Sequence, residues 1–394
     1  MTDKNVLMRR RRNLVLVGLM QNFDVVIVGA GIMGAATAFE CSRRGARVAL
    51  VDQAVLPNAG GASIDHSRVF RFAYPDQVYA RMARQSLELW RRLEQESGER
   101  LLTECGLLMI GHQEPSVETA TYTILRSLNL EAEKLSSAEA AARFPQFDET
   151  SFRYAVFDPS GAILHAERAV SAILELARKS GATIIEGERV TAVSAQEPPK
   201  IFLESGTVLE CGRALIAAGA WTRKLVPELA DTLATTRQEV IYFEPRPGPS
   251  KFDPASFPIF IDLDSGFYGF PIHRDGAVKI ANHNKGEWAD PDLRDNVVGR
   301  YAVSECRAFF AAMIPDLTTA RTVETRVCFY NNTPDDDFII DWRPSCPNVL
   351  IATGFSGHGF KFGPLVGRIC AELLLDGSTD YEVDRFTFER LSLS

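Results

Sequence analysis

The chain has 394 residues, of which 46% are apolar and 24% charged, as in an ordinary water-soluble globular protein, and its length favours two domains over one. Its formal net charge of −8 argues against a general nucleic-acid binder, because such proteins carry a basic surface. The seven cysteines are scattered without a C-x-x-C pair, which indicates reduced thiols in the cytoplasm and neither a disulfide framework nor a metal site.

At the N-terminus, four arginines precede a short apolar run in the segment MRRRRNLVLVGLM. The run is too short to cross a bilayer, and it lacks a small-residue cleavage site. We interpret residues 1–22 as a disordered extension, with Met20 as an alternative start. No other apolar stretch is long enough for a membrane span, so we expect no membrane segment.

The run FDVVIVGAGIMG, residues 23–34, joins an apolar strand to a G-x-G-x-x-G turn. Gly29 permits the tight turn, Gly31 lets backbone approach a pyrophosphate, and Gly34 lets the following helix pack on the strand. That helix presents its N-terminal amides to the phosphates. The next strand, RVALVD, ends in Asp52, whose carboxylate can accept both ribose hydroxyls and disfavours a 2′-phosphate. The segment therefore predicts a dinucleotide site that does not take NADP.

Two kinds of pattern alternate along the rest of the chain. A helix-then-strand pattern returns at residues 166–193, and the C-terminal section has the pattern of a strand, a glycine-rich turn and a helix. Short alternating runs between about residues 236 and 283 predict antiparallel strands. The fold class is therefore α/β, with a Rossmann-like nucleotide-binding domain interleaved with an α+β domain on an antiparallel sheet. We assign residues 23–102, 157–232 and 330–394 to the first domain, and residues 103–156 and 233–329 to the second.

Six segments in chain order resemble a known family: the glycine turn, SRVFRFAYP, FYGFP, KIANH, CFYNNTPDDDFIID and GFSGHGFKF. The family is that of the FAD-dependent amine oxidases, which includes monomeric sarcosine oxidase, N-methyltryptophan oxidase and pipecolate oxidase. The resemblance runs from Phe23 nearly to the C-terminus. It implies FAD as cofactor and oxidation of the C–N bond of a secondary amino acid, N-methyl or cyclic, to an imine, with O2 reduced to H2O2.

The resemblance also implies how the chain would hold FAD. Cys328 matches the cysteine that carries the flavin through a thioether at the 8α-methyl group of the isoalloxazine ring. The other cofactor-binding positions that it implies are Ser67, Val190, Gly219, Gly354, Gly357, Gly359 and Lys361. The last three glycines would let the backbone approach the flavin ring.

Catalytic and substrate-binding positions follow from the same resemblance. Arg71 and Lys361 match two cations that bind the substrate carboxylate. Lys279 matches a lysine beside the flavin, where a positive charge would stabilise the charge that oxygen gains. His283 could hydrogen-bond the substrate amine or tune its protonation. The remaining positions, which line the pocket or lie near the flavin face, are Tyr268, Tyr330 and Arg68.

One segment departs from the family pattern. Sarcosine oxidase-like relatives carry S-H-H-G-D-T-R where this chain has ASIDHSR at residues 62–68. The paired histidines are absent, and His66 stands at a shifted position. Phe72 also replaces the histidine or lysine that often follows the second arginine. We therefore expect surroundings of the flavin ring that differ from those of the relatives, with a more apolar edge at Phe72.

Three alternatives stay open at this level. The substrate is an N-methyl or a cyclic amino acid, or else a fructosyl amino acid. The chain is an oxidase, or a dehydrogenase that passes electrons to a protein or quinone. The third class is a nucleotide-binding protein that catalyses no reaction. We expect a monomer whose partners are a small secondary amino acid and O2, with no nucleic acid and no membrane.

Overall fold

The computed structural model describes residues 21–246, 251–293 and 295–392 of the chain. The predicted disordered extension, including Met20, lies outside the described residues except for Gln21 and Asn22. These two belong to the first strand, so the prediction is wrong for them. They pair with Leu209 and Glu210 of a neighbouring strand, which gives their backbone groups hydrogen-bond partners. None of the described helices is long and apolar enough to cross a membrane.

The described part of the chain contains nineteen strands and eight α-helices. In chain order the strands are β1 (Gln21–Val28), β2 (Val48–Asp52), β3 (Arg68–Phe70), β4 (Leu102–Glu104), β5 (Leu107–Gly111), β6 (Glu133–Ser136), β7 (Tyr154–Asp158), β8 (Ala162–Leu164), β9 (Thr183–Glu186), β10 (Val190–Val193), β11 (Lys200–Leu203), β12 (Val208–Ile216), β13 (Ala234–Glu244), β14 (Ile259–Asp262), β15 (Phe267–Arg274), β16 (Ala277–Asn282), β17 (Arg321–Asn332), β18 (Ile339–Arg343) and β19 (Cys346–Thr353). The helices are α1 (Ile32–Ser42), α2 (Gln77–Ser97), α3 (Val117–Ser127), α4 (Ser137–Arg143), α5 (Ala166–Lys179), α6 (Thr222–Leu225), α7 (Arg300–Met313) and α8 (Gly363–Asp376).

The first sheet has the order β10-β11-β12-β1-β2-β9, with β19 on β12 and β18 on β19. β1 is parallel to both β2 and β12, and its residues 25–28 are buried on both faces, as in a sheet covered on both sides. Val25 and Ile27 face α1 and α8, whereas Val26 and Val28 face the opposite core. α1 and α8 pack closely because α8 has Gly367 where a Cβ would lie 2.5 Å from the Cβ of Ala36.

The second sheet has the order β17-β13-β16-β15-β14-β5-β7-β6. All its pairs are antiparallel except β5 with β14, which are parallel. On one face, Phe260 packs with Phe309 and Phe310 of α7. On the other face, Ile261 and Phe270 belong to the core that also contains α1 and α8. This second face of the sheet therefore lies toward the first sheet. The candidate functional site lies between the two sheets.

Two strands of the second sheet run across the predicted domain boundaries. β7 continues to Asp158 and β17 to Asn332, past the boundaries predicted at residues 156/157 and 329/330. Each strand pairs within the second sheet to its end, and a strand paired along its length belongs to one sheet. We propose that both boundaries lie just after these strands. A third sheet has three strands in the order β3-β8-β4.

Candidate active site

The glycine turn after β1 is closed by backbone contacts that exclude side chains. Gly29 has φ +101°, and a Cβ there would lie 2.5 Å from the carbonyl oxygen of Ala217. A Cβ on Gly34 would lie 1.8 Å from the carbonyl oxygen of Gly29. A Cβ on Gly31 would lie 3.0 Å from its nearest neighbour, Oγ of Ser63. The turn therefore requires glycine at 29 and 34, and at Gly31 it presents backbone to a cleft.

Asp52, at the end of β2, binds the glycine turn as well as facing the cleft. Its carboxylate accepts hydrogen bonds from the backbone of Ala30 at 2.8 Å and Ala54 at 3.0 Å, and from Asn58 Nδ2 at 2.9 Å. Burial raises the pKa of Asp52, and these three donors oppose that rise. The sequence predicted only the ribose contact. The structure adds a role in holding the turn closed.

A large cleft opens above the turn, with an empty volume of about 1430 Å³. This volume includes space open to solvent. The cleft extends from the glycine turn and Asp52 to Cys328, and such an extended shape suits a dinucleotide. The predicted cofactor positions that line it are Gly29, Gly31, Asp52, Val190, Gly219, Cys328, Gly357 and Gly359.

Four other predicted cofactor positions do not line this cleft. Gly34 lies under the turn, as its predicted packing role requires. Gly354 has φ +66° and faces Thr333, whose Cγ2 would be 2.5 Å from a Cβ, so its glycine is required by the local backbone. Ser67 is fully buried and contacts Lys279. Lys361 lines a second cavity instead.

The second cavity, of about 760 Å³ empty volume, adjoins the first. Every predicted catalytic or carboxylate-binding residue lines it: Arg68, Arg71, Tyr268, Lys279, His283, Tyr330 and Lys361. Its apolar walls come from both halves of the molecule: Val69, Val240, Ile261, Leu263, Phe270 and Phe360. Residues with distant positions in the chain thus converge on one space.

Cys328 lies where the two cavities meet. It is half-buried on β17 and lines both, as do Arg68 and Tyr330. Its Sγ is 3.5 Å from Nη2 of Arg68 and 3.8 Å from the carbonyl oxygen of Ala62. The thiol is therefore open to a ligand that extends from the large cleft toward the smaller cavity.

Lys361 is held from both ends. Its Nζ donates to Oη of Tyr74 at 2.7 Å and to the carbonyl oxygen of His358 at 2.6 Å. Its own carbonyl oxygen accepts from Ser86 Oγ at 2.6 Å and Trp90 Nε1 at 2.7 Å, both on α2. Because Trp90 and Ser86 are fully buried, α2 fixes the backbone from which this lysine extends.

Arg71 stands beside the same tyrosine. Its guanidinium carbon is 4.3 Å from the centre of the Tyr74 ring, and it donates to the carbonyl oxygen of Ala73. Burial, and then the charge of Arg71, hold the pKa of Lys361 well below its usual range. Within the described residues, neither cation forms an ion pair with a carboxylate. Two neighbouring cations without an acid form a site for an anion from outside the protein.

The hydrogen-bonding groups near these cations are neutral. Nδ1 of His283 is 3.3 Å from Oη of Tyr330. Burial lowers the pKa of His283 to about 4, with Arg71 and Lys361 adding to the effect. Burial raises the pKa of Tyr268 to about 12, although nearby Arg68 opposes the rise. At physiological pH this part of the cavity therefore offers an uncharged imidazole and protonated phenols.

Lys279, on β16, is committed to a buried ion pair that the sequence did not predict. Its Nζ is 2.6 Å from Oδ2 of Asp65 and 3.0 Å from the carbonyl oxygen of Ser67. Arg68 Nη1 lies 2.7 Å from the same carboxylate oxygen. Burial alone would raise the pKa of Asp65, but Lys279 and Arg68 outweigh it and hold that pKa far below its usual range. Asp65 is therefore an anion under all ordinary conditions.

His66 lies outside both cavities. Its ring nitrogens contact Arg274 Nη1 at 2.6 Å, Arg326 Nη2 at 2.9 Å and Glu324 Oε2 at 2.9 Å. The shifted histidine of the ASIDHSR segment thus belongs to a charged cluster behind Asp65. Tyr74, Ser63 and Asp65 were missed from the sequence. For Ser63 and Asp65 the one available signal was that residues 62–68 depart from the family pattern.

Comparison with known proteins gives a consistent picture. Residues 24–373 match the family described as FAD dependent oxidoreductase. Peroxisomal sarcosine oxidase of Mus musculus is 32% identical, covering 94% of this chain and 96% of the relative. Monomeric sarcosine oxidase of Bacillus sp. (strain B-0618) is also 32% identical, covering 94% and 97%. N-methyl-L-tryptophan oxidase of Yersinia pestis (strain Pestoides F) is 27% identical, covering 94% and 99%.

Two solved structures share the fold. L-proline dehydrogenase from P. horikoshii superposes with a TM-score of 0.83 at 22% identity, covering 94% of this chain and 99% of that chain. The amino acid oxidase NikD superposes with a TM-score of 0.80 at 23% identity, covering 93% and 98%. The fold class predicted from the sequence is confirmed.

Proposed function

Because the chain belongs to the FAD dependent oxidoreductase family, we propose that it oxidises the C–N bond of a secondary amino acid to an imine, with O2 as electron acceptor. The observation that carries this proposal is the pair of cations, Arg71 and Lys361, at a cavity that adjoins the dinucleotide cleft. Relatives named sarcosine oxidase and N-methyl-L-tryptophan oxidase support an N-methyl amino acid as substrate. A cyclic amino acid fits the same chemistry.

The large cleft fits FAD. The turn at Gly29 and Gly31 and the N-terminus of α1 would bind its phosphates, and Asp52 would bind its ribose. FAD, when bound, accepts the two electrons that leave the substrate. In the whole reaction the amino acid loses two electrons and two protons to become an imine. O2 gains these two electrons and two protons to become H2O2. Water then hydrolyses the imine.

The side chains of the second cavity bind and orient the substrate. Arg71 and Lys361 would hold its carboxylate through charge-assisted hydrogen bonds, and the negative charge of the carboxylate would raise the lowered pKa of Lys361 back toward its usual range. The two positive charges disfavour a protonated amine nearby, and neutral His283 can accept a hydrogen bond from the free amine. The substrate therefore arrives as the free base that oxidation requires. Lys279, on the wall near Cys328, would stabilise the negative charge that O2 gains.

We further propose that the flavin is bound covalently to Cys328, since its Sγ is open to both cavities. After precipitation with acid, the yellow colour should stay with the wild-type protein, because a thioether survives this treatment. Cys328→Ser should release its flavin into the supernatant. Cys105→Ser is the matched control, since Cys105 is also half-buried but lines neither cavity, and it should retain its flavin. Colour released equally by the wild type would refute the covalent bond.

We also propose that the protein acts as a monomer in the cytoplasm. Relatives named monomeric sarcosine oxidase support the first part. All seven cysteines are free, which supports a reducing compartment.

Oxygen uptake and H2O2 formation test the proposal, measured with sarcosine, N-methyltryptophan, pipecolate, a fructosyl amino acid and glycine in turn. We expect equal amounts of oxygen consumed and peroxide formed with a secondary amino acid, and no reaction with glycine. Reduction of the flavin without oxygen uptake would instead indicate a dehydrogenase. Absence of reaction with all five compounds would contradict the proposed substrate class.

A further inference from the structure

Asp65 is a buried carboxylate that takes no part in the proposed binding of substrate or cofactor. It is 2% exposed and lies in the segment where this chain departs from the family pattern. Its Oδ2 accepts from Lys279 and Arg68, and its Oδ1 accepts from Oη of Tyr242 at 2.5 Å. Both oxygens are thus used inside the protein. Asp65 is therefore not a candidate for binding substrate, and its contacts point to Lys279.

Lys279 depends on Asp65 for its charge and its position. It is 2% exposed, and its neighbours across the sheet are Tyr242 on β13 and Phe270 on β15, both aromatic. Asp65 is the carboxylate with which Lys279 pairs among the described residues. The ammonium has three donors, and its contacts are Oδ2 of Asp65, the carbonyl oxygen of Ser67 and, at 3.4 Å, Oγ of Ser67. A cation in such surroundings is costly without its acid.

We propose that Asp65 is a positioning residue that keeps Lys279 protonated and in place beside the flavin, and that it thereby sets how fast the reduced enzyme reacts with O2. This inference rests on the proposed function for the location of the flavin ring and for O2 as the electron acceptor. It does not depend on which substrate reduces the flavin.

The charges around Lys279 give the sign of the effect. Burial lowers the pKa of Lys279 to about 8, Asp65 opposes that fall, and Arg68 adds to it. Loss of Asp65 removes the opposing charge, so the pKa of Lys279 falls further. The ammonium is then lost at a lower pH than in the wild type.

The other groups that face the pair do not replace Asp65. Arg326 Nη1, 3.8 Å from Oδ1 of Asp65, is a further cation. His273 also faces this pair and is neutral, because burial lowers its pKa to about 4. Tyr242 stays protonated, since burial and Asp65 raise its pKa well above the usual range. The Cys328 thiol lies on the same wall and would be alkylated by the flavin in the proposed state.

The test compares wild type with Asp65→Asn after reduction by dithionite, so that no amino acid substrate is needed. The rate of reaction with O2 is measured between about pH 6 and pH 9, a range that includes the pKa of about 8 to which burial lowers Lys279. We expect the variant to lose activity toward O2 at a pH at least about one unit lower, and to be about tenfold slower near pH 8. Tyr242→Phe is the control, because it removes one hydrogen bond from Asp65 but leaves its charge.

A second readout does not depend on turnover. Sulfite adds to oxidised flavin, and a nearby cation strengthens its binding, so absorbance titration reports the charge beside the ring. The ionisation of sulfite itself changes both dissociation constants by the same factor, so it cancels in the ratio of the variant's dissociation constant to that of the wild type. We expect this ratio to rise about tenfold from pH 6 to pH 8, because the variant loses its ammonium there. Parallel pH profiles in both measurements would overturn the proposal.

Asp65→Asn leaves a buried cation without its acid and could fail to fold. The double variant Asp65→Asn/Lys279→Met removes both charges of the pair. Arg68 keeps its hydrogen bonds to the carbonyl oxygens of Ser67 and Ala62, so the double variant should fold and retain flavin. If the double variant also fails, Asp65 supports the structure independently of Lys279, and the proposal is wrong. Failure of the proposed substrate class would show differently: secondary amino acids would not reduce the flavin, while the dithionite experiment would be unaffected. A wild type that reacts with O2 no faster than free reduced flavin would instead contradict both the proposed acceptor and this inference.

Discussion

Replacing Arg71 with alanine should raise the KM for a secondary amino acid by about 10²-fold and lower kcat by a smaller factor. Truncating one partner of a buried charged contact costs about 2–5 kcal/mol, and each 1.4 kcal/mol is tenfold in affinity. Lys361 would remain, but a single ammonium cannot reproduce the two-pronged contact of a guanidinium. Steady-state kinetics over a wide range of substrate concentration measure this effect.

Two controls make the Arg71 experiment specific. Arg71→Lys keeps the charge and should recover part of the affinity, since the loss has both a charge and a geometric component. A secondary amine without a carboxylate should react equally well with wild type and Arg71→Ala. An unchanged KM for the amino acid in Arg71→Ala would refute the carboxylate site.

Replacing Lys279 with methionine should slow the reaction of reduced flavin with O2 by about 10²–10³-fold, the usual effect of removing one preorganised electrostatic donor. Reduction of the flavin by the amino acid should slow by less than about tenfold, because Arg71 and Lys361 are unaltered. Methionine retains the length and apolar part of the lysine side chain. Rapid mixing of each half-reaction separately measures both rate constants.

Lys251→Met is the matched control for Lys279→Met. Lys251 is largely exposed and pairs with Asp316 at the surface, 3.0 Å away. Its replacement should change neither half-reaction. Equal slowing of both half-reactions in Lys279→Met would mean that the lysine supports the cavity as a whole and has no particular role toward oxygen.

The dinucleotide turn could be predicted from sequence because its requirements are local. Gly29 has a positive φ, and a Cβ on Gly34 would meet the carbonyl oxygen of Gly29, so both requirements arise within one turn. The contact of Gly29 with Ala217, from a distant part of the chain, adds to them. The hydrogen bonds from Ala54 and Asn58 to Asp52 were not predictable, since a loop with no regular pattern supplies them. The local sequence pattern therefore predicted the glycine turn, but it did not predict the hydrogen bonds that Asp52 accepts from the following loop.

The second cavity is a different case. Arg71, Lys279 and Lys361 were found through resemblance to the family, and the resemblance itself is confirmed. That they line one cavity depends on pairing between strands far apart in the chain, including the parallel pair β5 and β14, which no pattern in either segment predicted. Asp65 was missed because it lies where the family pattern is broken. A buried ion pair between positions 214 residues apart leaves no trace in either segment alone.

Anaerobic absorbance of the flavin tests the central claim most directly, with N-methyl and cyclic amino acids compared with the same amines lacking the carboxylate. The account predicts fast bleaching by a secondary amino acid, none by glycine, and much weaker bleaching at equal concentration by the amine without a carboxylate. Equal bleaching with and without the carboxylate, or none with any secondary amino acid, would contradict it.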